Sequence, residues 1–364
     1  MQMNDDRHLK LTKEARKART MRYRIFGRTG LRVSSLALGT GNFGTGWGYG
    51  SSREEAKVVF DGYRNAGGNF IDTADQYQFG QSETMVGEFI ASDRDEMVVA
   101  TKFSLGDRHA AGLQRTGNSR KAMVQSVEAS LKRLGTDRID LLWAHMPDAV
   151  TPIDEIMRGF DDLVRSGKIL YAGLSDFPAW RVATGATLAE LRGFAPLSAL
   201  QLEYSLVERT SERELLPMAA AFGLGTVGWS PLGGGLLTGK YRKGETGRQQ
   251  GLGVVIHSES DARKTATVDT VLAIAEETGV PAGQIAIAWV LHKGTLPIIG
   301  PRTAEQLADN LAALDVKLSE EQVRRLDDAS AISLGFPHDV VSQSRNTLAG
   351  AKADLIDWPT IAVR

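Results

Sequence analysis

The run Ile139-Asp140-Leu141-Leu142-Trp143-Ala144-His145 decides the fold. It is apolar at nearly every position, whereas a strand with one wet face alternates apolar and polar residues. Such a run suits a strand covered on both sides, as in a parallel sheet flanked by helices. A helical period precedes it over residues 119–134, and another follows over 153–166. The same unit recurs in both directions along the chain. Upstream, strands are expected at Leu36–Gly39, Asn69–Asp72 and Met97–Lys102; downstream, at Ile169–Ser175, Ala199–Tyr204, Gly225–Trp229 and Leu296–Ile299. Helical patterns lie between them at about 53–66, 83–91, 178–191, 211–222, 264–292 and 303–314. Strands alternating with helices imply βαβ units.

Eight such units with no Pro- or Ser-rich linker between halves predict one α/β domain, a (β/α)8 TIM barrel, rather than two doubly wound domains. Barrels of this kind take about 250 residues plus insertions. The excess has definite places. Met21–Val33 alternates across a glycine-containing turn and predicts an N-terminal β-hairpin. Lys240–Lys264 predicts a polar loop after strand seven, followed by helices near 264–278 and 281–292, one more than the unit needs; Ser319–Ala329 predicts an extra helix after helix eight. The chain thus divides into a polar extension over 1–20, a barrel over 21–330, and a tail over 331–364 expected to pack on the barrel.

Composition limits the function. The 364 residues are 42% apolar and 24% charged, the balance of a soluble globular chain. A net charge of −1 supplies no global field toward nucleic acid or an anionic membrane, so neither is expected as a partner. No stretch approaches the ~18 apolar residues of a membrane span, and residues 1–20 carry no apolar signal region, so the expected location is cytoplasmic. The absence of cysteine excludes disulfides, thiolate metal sites and thiol nucleophiles. Six histidines at positions 8, 109, 145, 257, 292 and 338 are too far apart for a helical zinc site, and no metal is expected. The oligomeric state stays open.

Two motifs match in letters and fail in context. Gly39-Thr40-Gly41-Asn42-Phe43-Gly44 has the glycine spacing of a dinucleotide fingerprint, but the chain continues Thr-Gly-Trp-Gly-Tyr-Gly, and no helix can begin before about Ser52. It reads instead as a glycine-rich loop at a barrel mouth. Gly234–Lys240 approaches a phosphate-binding loop, but Tyr241 stands where a hydroxyl must reach magnesium.

In a barrel, chemistry gathers at the C-terminal ends of the strands. Strand two ends in Asp72 with Tyr77 in its loop, strand three ends in Lys102 and strand four in His145. Each has an ordinary structural role open to it: a helix cap, a packed ring, a solvated amine, a satisfied core histidine. Together they suit carbonyl reduction. Hydride delivery builds negative charge on oxygen, which must receive a proton as it forms. A phenol of pKa about 10 gives its proton more readily beside a cation. Lys102 supplies the cation, Asp72 holds it, His145 orients the carbonyl oxygen, and Tyr77 is the acid. Hydride lies beyond any side chain, so a nicotinamide cofactor is required.

These residues stand in longer stretches. Asn69-Phe70-Ile71-Asp72-Thr73-Ala74-Asp75-Gln76-Tyr77, Gly80–Gly87, Ala100-Thr101-Lys102, Leu131–Leu142 and Gly228–Tyr241 resemble the aldo-keto reductases, and the resemblance runs from about Tyr23 to Ala329. It implies a (β/α)8 barrel that binds NADP(H) without a Rossmann fold, and a catalytic tetrad on the same Asp72, Tyr77, Lys102 and His145. It further implies that Gly39, Thr40 and Asp72 lie near the nicotinamide, that Ser175, Asp176 and Gln201 hold its carboxamide, and that Trp229 stacks on its ring. Ser230, Leu232, Gly235 and Lys240 correspond to the pyrophosphate contacts. Gly300, Arg302, Gln306 and Asn310 resemble the adenosine end, where Arg302 beside a helix N-terminus suits the 2′-phosphate.

The chain departs from the family pattern in two places. Asp176 stands where Asn is common; an ionised carboxylate accepts from the carboxamide but cannot donate to it, so a weaker anchor is expected. Met146 follows His145 where aryl-alcohol-dehydrogenase-like members often carry Trp, which implies a reshaped substrate pocket. Substrate contacts are expected from Phe43, Trp47, Tyr77, His145 and Met146. A second rim is expected over 103–120 with Arg108, His109 and Arg115, and a third near Phe336 and Trp358. Candidate substrates are small molecules: an aromatic or bulky carbonyl, a sugar-derived aldehyde or a polycyclic ketone. Two alternatives remain at this level. One is a nicotinamide-binding regulatory subunit resembling potassium-channel β-subunits. The other is a barrel hydrolase pairing Asp72 with Glu83 or Glu203.

Overall fold

The computed structural model describes residues 21–106, 112–245, 253 and 255–359. The expected extension at 1–20 lies outside the described residues. The chain opens with an antiparallel hairpin, β1 (Tyr23–Ile25) and β2 (Arg32–Ser34). Eight strands follow: β3 (Ala37–Gly39), β4 (Phe70–Asp72), β5 (Val98–Phe103), β6 (Ile139–Ala144), β7 (Ile169–Ser175), β8 (Leu197–Glu203), β9 (Gly225–Trp229) and β10 (Leu296–Ile299). All pair in parallel, and β10 returns to β3 to close the barrel. Both the (β/α)8 barrel and the leading hairpin are as the sequence predicts.

Helices α1 (Arg53–Asn65), α2 (Gln81–Ile90), α3 (Arg120–Leu134), α4 (Ile153–Arg165), α5 (Ala179–Arg192) and α6 (Leu215–Phe222) cover the outside. After β9 come α7 (Ala262–Thr278) and α8 (Ala282–His292), the extra helix expected there; α9 (Ala304–Ala312) follows β10, and α10 (Glu320–Ala329) is the second addition. Local chemistry sets the starts. Ser52 and Glu55 cap α1 reciprocally, and Ser319 and Gln322 do the same for α10.

Two cores result. The larger lies between strands and helices; the smaller fills the barrel and contains Phe70, Leu141, Trp143 and Val227. Trp143 fits only because residue 173 is glycine: a Cβ there would stand 2.4 Å from the indole. Asp140, the one polar residue in that apolar strand, accepts from Val99 N–H and pairs with Arg94, both at 2.8 Å. Phe26, from the hairpin turn, joins the inner core edge-on to Phe70. The hairpin therefore stoppers the N-terminal end of the barrel, and the strand termini at the other end form the open mouth.

The tail departs from expectation. It contains a helix, α11 (His338–Leu348), with no buried residue; Val340, Val341 and Leu348 are exposed. The tail is tied to the barrel by Ser333 O, which accepts from Arg213, and by His338 against Glu214. The sequence reading expects a tail over 331–364 packed on the barrel and no helix within it; the helix itself buries none of its side chains.

Candidate active site

Parallel register brings the polar strand ends together at the mouth. Asp72 closes β4, Lys102 lies near the end of β5, and His145 follows β6 with its N–H donating to Phe103 O. Tyr77 begins a tight turn in which Gln78 and Phe79 take left-handed angles, φ 52° and 57°. Lys102 is fully buried. Its ammonium pairs with Asp72 and donates to Thr73 O at 2.9 Å and to Tyr77 Oη at 3.1 Å. The other Asp72 oxygen accepts from Gln201 Nε2 at 2.8 Å. Burial works against the lysine charge, but the Asp72 carboxylate and Tyr77 outweigh it and raise its pKa above the ordinary value.

His145 lies beside this pair, its ring 6.0 Å from that of Tyr77 and edge-on to it. Burial, and then the charge on Lys102, hold its pKa well below the usual histidine value, so the imidazole is neutral at physiological pH. Its Nδ1 is buried without a hydrogen-bond partner among the described residues.

The hydrolase alternative loses its carboxylates. Asp72 is held by Lys102 and Gln201; Glu83 accepts from Arg133 at 2.6 Å and Thr101 at 2.5 Å; Glu203 meets His257 Nε2 at 2.8 Å. Beneath the tetrad, Asp75 is buried with Ser126 on one oxygen, and burial beside Glu83 pushes its carboxyl up to about 7.

A cleft of about 700 Å³ extends from Tyr77 and His145 to Arg302. Gly39, Asp72, Ser175, Asp176, Gln201 and Trp229 line its inner half, with Met146 at the rim. Ser230, Leu232, Gly235, Lys240, Gly300, Gln306 and Asn310 line the remainder. Trp229 Nε1 donates to Asp176 at 3.1 Å, and Ser175 Oγ approaches the other carboxylate oxygen at 3.3 Å. Desolvation by these walls raises the Asp176 carboxyl to about 6, although the side chain stays open to the cleft.

Several expected contacts fall elsewhere. Phe43 is fully buried against Phe89 in the outer core, so it offers the substrate nothing. The Thr40 hydroxyl is also buried, donating to Asp72 O at 3.2 Å and accepting from Ser82. Trp47 stands edge-on to Tyr77 at 5.9 Å, backing that ring rather than lining the cleft itself. Arg108 and His109 lie outside the described residues. Arg115, Phe336 and Trp358 are exposed and do not line the cleft.

Two residues that sequence reasoning missed shape the mouth. The Gln78 amide nitrogen donates to Gly41 O and Tyr49 O, and its oxygen accepts from Trp47 N–H, all at 2.9 Å. Asn42 Nδ2 donates to Gly300 O at 2.9 Å. Only the Gly-rich composition of 39–50 hinted at a loop needing such pins.

Lys240, Lys243 and Arg302 gather at the outer end of the cleft. Burial, and then the charge on Arg302, lower the pKa of Lys240, so two cations crowd the same end of the cleft. Gly233, Gly234 and Gly235 all have positive φ, and a Cβ at 235 would stand 2.8 Å from Lys240 Cε. An anion between these cations relieves their repulsion. Among the described residues no group of acidic, histidine or cysteine side chains could hold a metal, and no helix is long and apolar enough to cross a membrane.

The family model described as the Aldo/keto reductase family matches residues 35–331. A norsolorinic acid reductase of Aspergillus flavus is 40% identical over 320 residues, covering 85% of this chain and 80% of that protein. An uncharacterised oxidoreductase of Bacillus subtilis is 39% identical over 319 residues, covering 85% and 95%. An aryl-alcohol dehydrogenase of Pestalotiopsis microspora is 36% identical over 318 residues, covering 85% and 82%.

Proposed function

Because the chain belongs to the aldo/keto reductase family, an oxidoreductase family acting on carbonyl and alcohol groups with nicotinamide cofactors, we propose that it reduces an aryl aldehyde or ketone with NADPH, reversibly, using Tyr77 as general acid and base. The observation that carries this reading is one buried ammonium, Lys102 Nζ, touching both the Asp72 carboxylate and the Tyr77 hydroxyl. NADPH, when bound, supplies the hydride that no side chain can. Trp229, Ser175 and Gln201 would hold its nicotinamide, and Lys240 and Arg302 its phosphates. Tyr77 Oη gives its proton to the carbonyl oxygen as charge develops there, and Lys102 stabilises the phenolate that remains. Asp72 keeps the ammonium in place. Neutral His145 has one N–H, and it orients the carbonyl oxygen by a hydrogen bond without competing as the acid.

Aromatic and sulfur-bearing side chains support the choice of an aryl substrate: Tyr77 and Met146 line the cleft, and Trp47 packs edge-on against the Tyr77 ring. The relative named for an aryl alcohol points the same way. A panel of aryl, aliphatic and sugar-derived carbonyls, followed by NADPH consumption, tests it. Aryl carbonyls should give the highest kcat/KM; a preference for sugar-derived aldehydes contradicts this choice.

Two binding predictions arise here. Arg302→Ala should raise the Kd for NADPH roughly tenfold or more, the worth of a charge-assisted hydrogen bond, and leave NADH within about twofold. Equal losses for both cofactors would remove Arg302 from the 2′-phosphate. The second concerns Asp176, whose protonated form can both donate and accept. Cofactor affinity should therefore strengthen as pH falls through about 6. Asp176→Asn should bind tightly on both sides of that range, with Asn oxygen still accepting from Trp229. Titration calorimetry of both proteins with NADH, which lacks the 2′-phosphate that itself titrates near pH 6, decides it, and a wild-type Kd for NADH that worsens on acidification contradicts the assignment.

A further inference from the structure

The glycine loop between β3 and α1 makes contacts that the proposed chemistry does not use. Tyr49 lines the cleft, and its ring centre lies 4.4 Å from the Arg302 guanidinium carbon. The loop that carries it is fastened at both sides of the cleft. Gln78, next to the proposed acid, holds the Tyr49 carbonyl at 2.9 Å. Across the mouth, Ser51 Oγ donates to Arg302 O at 3.0 Å. The backbone on both sides of the ring is therefore anchored, and the ring rests against Arg302.

Arg302 needs such a support. Its backbone N–H is taken by Gln306, but among the described residues no carboxylate pairs with its guanidinium. A long unpaired arginine samples many rotamers, and an anion that fixes one of them gives up that freedom. A ring against the flat face of a guanidinium restricts the rotamers while leaving the N–H edge free for a bidentate anion. Lys240, the other cation at this end, is repelled by Arg302, and this discourages collapse of the arginine into the cleft.

We propose that Tyr49 is a specificity-determining positioning residue: it holds Arg302 ready for the 2′-phosphate and thereby favours NADP(H) over NAD(H). This rests on the NADP(H) reading above. Tyr49 acts through Arg302, and its aromatic face rather than its hydroxyl carries the effect.

The test is calorimetric binding of NADP⁺ and NAD⁺ to the full chain and to Tyr49→Leu and Tyr49→Phe, with no turnover involved. Tyr49→Leu should weaken NADP⁺ roughly five- to tenfold and leave NAD⁺ within about twofold, the unchanged NAD⁺ value reporting an intact cleft. Tyr49→Phe should match the wild type for both. A wild-type preference for NADP⁺ that Tyr49→Leu leaves undiminished overturns the role of Tyr49 alone. So does an equal loss for both ligands, or a Phe variant as weak as Leu. A wild-type protein that binds the two equally overturns the NADP(H) reading, and this proposal with it.

Discussion

Tyr77→Phe should leave the Kd for NADPH within about twofold and lower kcat for carbonyl reduction by roughly 10²- to 10⁴-fold, the usual contribution of a positioned general acid. The expectation rests on how little else the change removes. The ring keeps its edge-on contacts with Trp47 and His145. Lys102 loses the phenol but retains Asp72 and Thr73 O, so no charge is stranded in the interior. Stability should therefore change little while turnover collapses. His145 cannot take over as acid, because burial and Lys102 keep it neutral. A variant that binds NADPH and reduces the same carbonyl at near wild-type rate removes Tyr77 from the reaction.

Lys102→Met has a larger and different effect. It removes the cation beside Tyr77 and also leaves Asp72, almost fully buried, with Gln201 as its one side-chain partner among the described residues. Breaking one side of a buried ion pair costs about 3–5 kcal/mol, because the remaining charge is desolvated without compensation. The thermal midpoint should fall and turnover should disappear together. The two losses separate in the double variant Asp72→Asn with Lys102→Met, which carries no buried charge at this place. It should recover much of the stability and none of the activity. If the double variant is as unstable as the single one, the Asp72–Lys102 contact is not what holds this part of the mouth.

Much of this site was legible in the sequence, for a physical reason. Barrel strands run apolar until the mouth, so Asp72, Lys102 and His145 stood out as polar ends of apolar runs, and Tyr77 followed at loop distance. Phe43 misled because a phenylalanine among glycines reads as exposed loop, whereas the backbone turns it inward against Phe89. Gln78 was invisible because its function depends on a left-handed backbone that a non-glycine residue does not advertise. The α11 helix was missed because His338–Leu348 lacks the apolar periodicity that signals a packed helix, and in the structure it buries nothing. Asp176 looked only like a weak anchor. Its contact with Trp229, which places the proposed stacking ring, is a tertiary fact.

In the proposed reaction, hydride reaches a carbonyl carbon at this barrel mouth while Tyr77 protonates the oxygen. Its most direct test supplies an aryl aldehyde or ketone with NADPH deuterated on either face of the nicotinamide C4, and examines the product by mass spectrometry. One of the two cofactor epimers, and not the other, should give an alcohol carrying deuterium on its carbinol carbon. An alcohol free of deuterium from both epimers, or no alcohol from any carbonyl offered to protein that binds NADPH, would contradict it.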